Sequence, residues 1–166
     1  MAKKVIAITL YMSELVYDVQ NKTYLTGRSR KTGSNHEEVA NMQANDDDEN
    51  ADQILRSIGN AFSTLKTKLS EFINEEGTSA SDKLLEASDN LTVSLNMPGN
   101  YNNAANETIS SALHQYIVNS AIGDWFTITN KADAGDYIQL AGATLEQLRE
   151  AVNKRSRPVR TTVGGK

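Results

Sequence analysis

The stretch Ile109-Ser-Ser-Ala-Leu-His-Gln-Tyr-Ile-Val-Asn-Ser-Ala-Ile-Gly-Asp-Trp-Phe-Thr-Ile-Thr-Asn130 decides how this chain folds. Within it Ile109, Leu113, Tyr116, Ile117, Ala121, Ile122 and Trp125 recur at steps that keep them on one helical stripe, so a helix is predicted from about Ala105. Residues Gly123 to Asn130, which hold the only Trp of the chain, read as the link to a further helix. Asn130 and Asp133 supply N-cap residue types, Tyr137, Ala141, Leu145, Leu148 and Val152 mark an inward face, and Pro158 forbids continuation. A connection this short makes the two helices antiparallel or sharply angled neighbours.

Upstream, Ala51, Leu55, Ile58, Phe62, Leu65, Leu69 and Phe72 alternate steps of four and three, a heptad seam. Asp46, Asp47, Asp48 and Glu49 precede it, where a helix start favours negative charge, and Gly77 is placed to close it as a C-cap glycine. Lys3 to Met12 reads as a strand in which Ile6, Ile8, Leu10 and Met12 alternate with Val5, Ala7, Thr9 and Tyr11, both faces partly buried. Leu91, Val93, Leu95 and Met97 alternate with polar residues up to Pro98-Gly99 and give that strand its partner. Because an isolated ribbon of two strands is marginal in water, it must lie on helices or be extended by another subunit.

Ser13 is placed to cap a short helix reaching about Thr26, with Leu15, Val16, Val19 and Tyr24 inward and Gly27 as a left-handed stop. The stretch at about 28–47 carries the basic cluster Arg28, Arg30 and Lys31, is short of aliphatic residues, and predicts a polar arm with one helical turn near His36 to Met42. Residues 78–90 are loop-like. The expected fold class is mostly α: one domain over 1–166, a bundle of three to four helices, a small β-ribbon of two strands, and extended terminal arms.

With 166 residues the chain can bury about two-thirds of its surface without staples, and it contains no cysteine for a disulfide or thiolate site. The longest apolar run, Val5 to Leu10, falls far short of the roughly 20 residues that span a bilayer, and the N-terminus has no secretory signature, so synthesis in a cytoplasm without membrane insertion is expected. The sequons at Asn21, Asn90 and Asn106 then read as chance. The net charge of −4 is uneven: Lys154, Arg155, Arg157, Arg160 and Lys166 form a basic tail at about 154–166 on an acidic body. Such a tail can meet nucleic acid or the body of a neighbouring copy.

Chemistry-bearing patterns are scarce. An EF-hand loop begun at Asp46 would need Gly at Ala51 and Glu at Ser57. His36 and His114 lie far apart, no nucleophile has a visible activator, and neither Thr26-Gly27-Arg28 nor Gly164-Gly165-Lys166 makes a phosphate cradle. No cofactor, metal or small-molecule substrate is expected, and the protein reads as a non-enzyme. Trp125 and Phe126 close the end of the core in the stronger reading and anchor a partner in the weaker one. For the tail, a solubilising end, a DNA contact and an arm crossing to a neighbour compete. No aromatic stands among its charges to stack on bases, and Thr161-Thr162-Val163 has strand character, which favours pairing with an exposed edge.

Tyr116, Asp124-Trp125-Phe126, Thr129-Asn130, Tyr137, Leu145, Leu148, Val152, Lys154-Arg155 and Pro158, together with Tyr17-Asp18-Val19-Gln20-Asn21-Lys22-Thr23-Tyr24, resemble small proteins of tailed phages and prophages of gut Bacteroidales, including crAss-like phages. The resemblance implies a virion structural component, with a head-tail connector or neck ring subunit as the leading expectation. Its expected partners are other copies of itself in a ring, portal and tail or neck proteins, and packaged DNA by non-specific contact. Exchange of arms through Lys3 to Met12, Arg28 to Asn45 and Arg155 to Lys166 is the expected joint. A capsid-associated auxiliary or decoration protein is the alternative, and a small DNA-binding helical protein stands third. The interface candidates are Arg28, Arg30, Lys31, Trp125, Phe126, Lys154, Arg155, Arg157 and Arg160.

Overall fold

The computed structural model describes residues 3–80, 86 and 88–160. Strand β1 (Lys4–Tyr11) runs without a loop into α1 (Met12–Ser29), followed by α2 (His36–Met42), α3 (Asp48–Lys68), β2 (Asn90–Met97), α4 (Asn106–Thr129) and α5 (Lys131–Val152). The mostly α architecture with one small ribbon is as expected. Among the described residues the domain is built from four long helices and the short α2.

Helix α4 is the centre. Tyr116, Ile117, Val118 and Asn119 are consecutive and all buried, as are Ala121, Ile122 and Gly123. Successive residues point about 100° apart, so one neighbour cannot cover them all; α1, α3 and α5 each pack on this helix. The predicted link from Gly123 to Asn130 is instead helical as far as Thr129, and Asn130 alone joins α4 to α5. Nothing in Trp-Phe-Thr-Ile-Thr breaks a helix, and burial of Trp125 and Phe126 outweighs the weak helix propensity of the β-branched residues around them. The two helices are antiparallel. Thr108 near the start of α4 shares a groove with Gln147, Ala151 and Lys154 near the end of α5, and a Cβ on Gly123 would stand 3.0 Å from Ile138.

The heptad face is buried over Leu55, Ile58, Phe62, Leu65 and Leu69, with Phe72 partly buried. Helix α3 nevertheless ends at Lys68, well before Gly77. That glycine serves a close approach instead: an added Cβ would stand 2.7 Å from the Cβ of Ser94 in β2. Gly27 likewise lies inside α1, not at a left-handed stop, and its missing side chain lets Val39 O come within 3.2 Å of where a Cβ would be. Helix α1 begins at Met12 with no side-chain cap from Ser13. Thr23, rather than Tyr24, turns inward: Tyr24 is 43% exposed and Thr23 is fully buried.

Thr23 explains why 28–47 is not a free arm. Its hydroxyl donates to Val19 O at 2.8 Å and accepts from Ala44 N at 3.0 Å. On the other side Trp125 Nε1 donates to Met42 O at 2.7 Å. Met42 and Ala44 are buried, so the segment is fastened between α1 and α4 at its far end, and α2 is the helical turn expected there.

The ribbon is antiparallel, with Lys4 opposite Met97, Ile6 opposite Leu95, Ile8 opposite Val93 and Tyr11 opposite Asn90. Residues 72–79 cover the other edge of β2: Asn74 N donates to Ser94 O at 2.8 Å, Asn96 N to Phe72 O at 2.6 Å, and Ser79 N to Thr92 O at 2.9 Å. One expected property fails here. The β1 face carrying Val5, Ala7, Thr9 and Tyr11 is exposed, not partly buried, with Val5 62% and Tyr11 50% accessible.

Candidate interaction surface

The interface candidates divide by what they already hold. Trp125 and Phe126 are buried, Phe126 packing edge-on against Tyr137 at 5.4 Å between ring centroids. They close the core, and as anchors for a partner they are withdrawn. Arg30 is committed inside the molecule. Its Nε donates to Asp133 Oδ2 at 3.1 Å and its Nη2 to Asp133 Oδ1, while Asn130 Nδ2 adds a bond to Oδ2 at 2.6 Å. With Thr26 and Tyr137 hydroxyls 2.7 Å apart, this ties the end of α1 to the start of α5. Arg28 and Lys31 remain exposed, without a side-chain partner among the described residues.

Asp133 is only 5% exposed. The Arg30 guanidinium, aided by the Asn130 amide and opposed by burial, holds its carboxyl below the usual carboxylate range. A depressed carboxyl binds fewer protons folded than unfolded, so its stabilisation is complete above the unfolded value near 3.9 and is lost as pH falls through the lower native value. Asp133→Asn is expected to remove that component. Between pH 7 and pH 3 the thermal midpoint of the variant should fall less than that of the wild type, by on the order of 2–4 °C, in parallel calorimetric scans.

The root of the basic tail is fastened. Asn102 N donates to Lys154 O at 3.1 Å and Ser156 N to Asn100 O at 2.8 Å, with a bridge between Tyr101 and Arg155. Lys154 Nζ meets Glu150 at 2.8 Å and lowers its carboxyl pKa, and Arg155 Nη1 donates to Val152 O at 2.9 Å. Tyr101 is fully buried, its hydroxyl donating to Asn106 Oδ1 at 2.7 Å. Burial raises this phenol further, against the pull of the Arg155 charge, so it stays a neutral donor. Lys4 Nζ donates to Tyr101 O at 3.0 Å, which sets the tail root beside the start of β1. Beyond it Arg157, Pro158, Val159 and Arg160 are exposed, Val159 to 89%. The strand character of Thr161-Thr162-Val163, the Gly164-Gly165-Lys166 end and its Lys166 charge lie outside the described residues.

The remaining candidates stay apart. His114 Nε2 pairs with Asp18 Oδ2 at 2.5 Å between α4 and α1, and His36 is exposed on α2. No group of three or more potential metal ligands occurs among the described residues. A groove of about 550 Å³ lies between α3, α4 and α5, lined by Ala61, Tyr116, Asp124, Ile138 and Leu145. Partial burial raises the Asp124 carboxyl and a bond from Ser57 counters it. Among the described residues lining the groove Asp124 is the sole carboxylate, and Ser57 is buried beside it rather than in the lining. Among the described residues no helix is long and apolar enough to cross a membrane.

Sequence reasoning missed one feature, the second edge of β1. A residue's N–H and C=O point to the same side of a strand, and alternate residues point to opposite sides. Thr92, Ser94 and Asn96 turn theirs toward 72–79, so Leu91, Val93, Leu95 and Met97 face β1 and bond Leu10, Ile8, Ile6 and Lys4. Val5, Ala7 and Thr9 therefore direct their backbone groups away from the ribbon, where they have no partner among the described residues. The signal for this was weak: a run rich in β-branched residues with no Pro and, beyond Lys3 and Lys4, no charge.

Compared with protein-family models, curated proteins and solved structures, the chain matches none.

Proposed function

We propose that this protein is a non-enzymatic virion structural subunit, a head-tail connector or neck ring protein that joins portal to tail through contacts made by its C-terminal arm. A ring repeats one heterologous interface, so every copy needs a donor surface and a different acceptor surface. The observation that carries the reading is the tail. Its root is held by the 100–102 turn, and the exposed residues Arg157 to Arg160 leave an acidic body carrying opposite charge. The other two expected arms contribute less, since Lys3 to Met12 is paired with β2 and 28–45 is folded onto α1 and α4.

Locating the chain in intact particles by cryo-electron microscopy tests this directly: a closed ring of about six or twelve copies at the neck is expected, and copies spread over the capsid shell would make it a decoration protein. In solution, deleting residues 157–166, which spares the Ser156 bond, should raise the assembly midpoint concentration by at least about tenfold with circular dichroism unchanged. Light scattering that finds the same assembled mass for both would remove the tail from the reading. Arg157 and Arg160 have no partner among the described residues, which suits phosphate contact as well. Retention on DNA should then fall with salt at a log–log slope of about −0.9 per phosphate met.

A further inference from the structure

We infer that the open edge of β1 is the acceptor for the C-terminal tail of a second copy, residues 157–163 adding antiparallel as a third strand to the ribbon. The inference rests on the ring reading only in that the donor is another copy of the chain.

Among the described residues nothing covers the edge. Its register with β2 is continuous from Lys4 to Tyr11, without a bulge, and Pro is absent from it. Apart from Lys3 and Lys4 it carries no charge, and Val5, Ala7 and Thr9 turn unpaired N–H and C=O groups outward over a face with Val5 62% and Tyr11 50% exposed. Strands at sheet edges ordinarily carry a bulge, a Pro, an inward charge or a cover, because such a row of groups templates another strand. Here the match between edge and tail supplies the cover. Among β-branched residues the tail offers Val159, Thr161, Thr162 and Val163. A register that faces the N–H groups of Val159, Thr161 and Val163 toward β1 turns Pro158, which has none, away from it, where a Pro is tolerated.

Charge decides both the direction and the copy. The β1 strand is basic at its start, with Lys3 and Lys4, and is followed at its end by Glu14 in the first turn of α1. The tail has its arginines first and its β-branched residues last. Antiparallel addition in that register brings Arg157 beside Tyr11, at the acidic end, and sets Arg160 opposite Ile8, clear of Lys3 and Lys4. The chain's own tail, leaving beside Lys4 through the Tyr101 contact, could only run parallel to β1, with Arg157 against Lys3 and Lys4. A neighbour's tail has no such restriction, and like charges placed side by side disfavour the internal arrangement.

Hydrogen exchange on the full chain, read at residue resolution alongside mass by light scattering, tests the assignment. In the assembled protein the amides of Val5, Ala7 and Thr9 should exchange on the order of tenfold or more slowly than in the 157–166 deletion, with Ile6, Ile8 and Leu10 protected in both. Ala7→Pro, which removes an outward donor and leaves the β1–β2 ladder intact, should weaken assembly with circular dichroism retained. Assembly with those three amides unprotected would overturn the inference and leave the ring standing. Protection that survives the deletion would overturn it in favour of β1 pairing with β1 of a second copy. Protection by the tail in a chain that stays monomeric at every concentration would overturn both the inference and the ring.

Discussion

Trp125→Ala is expected to cost about 3–5 kcal/mol of unfolding free energy, the range for emptying a large aromatic from a packed site. Trp125 is 6% exposed in α4, and its indole N–H reaches Met42 O at 2.7 Å. Truncation opens a cavity and leaves the Met42 carbonyl, in a buried segment, without its donor, a loss of about 1–3 kcal/mol by itself that is already part of the total. The bonds from Ala44 N to the Thr23 hydroxyl and from Gln20 Nε2 to Asp46 Oδ1 then hold the segment without it. Urea denaturation should show the lowered midpoint, and amide exchange near 42–44 should accelerate more than in α5. A uniform acceleration would mean that Trp125 supports the whole core rather than this attachment.

Phe126→Ala is expected to cost a similar 3–5 kcal/mol or so, with a different local signature. Phe126 is fully buried and meets Tyr137 edge-on, at an interplanar angle of 64°. The geometry is one that aromatic pairs favour by about 0.5–1.5 kcal/mol beyond area burial. Its loss loosens the α4–α5 hairpin close to its single-residue link, while the Arg30–Asp133 pair and the Thr26–Tyr137 contact still hold α1 to α5. Phe126→Leu, which keeps much of the apolar volume, should recover more than half of the loss in calorimetry. Failure to recover would place the contribution in the ring contact rather than in filled space.

Periodicity was enough for the helices that carry stripes. The steps from Leu55 to Leu69, and those from Ile109 to Trp125, are burial patterns before they are anything else, and every position they mark is buried, whereas Ile54, Ala61, Val118 and Asn119 are buried off those stripes. Punctuation was less dependable. Gly27 and Gly77 looked like helix stops because stops favour glycine, yet both are places where another segment comes too close for a side chain. Those neighbours, Val39 in one case and Ser94 in the other, are 12 and 17 residues away in the chain, beyond any local pattern. The polar composition of 28–47 predicts an arm, but hydrogen bonds with Gln20, Thr23 and Trp125 attach its end to the body.

For function the division is the same. Composition placed the basic charge at the C-terminal end and local pattern placed the strands, so the tail and the ribbon were legible from residue order alone. Residue order could not show that Arg30 is occupied by Asp133, that Lys154 and Arg155 are spent on the tail root, or that Val5, Ala7 and Thr9 are left facing outward. Helix and strand formation follow from the spacing of apolar side chains a few positions apart, and this chain states that spacing clearly. Which charges are already paired, and which strand edge stays uncovered, depend on residues brought together from opposite ends of the chain, and only packing around α4 decided them.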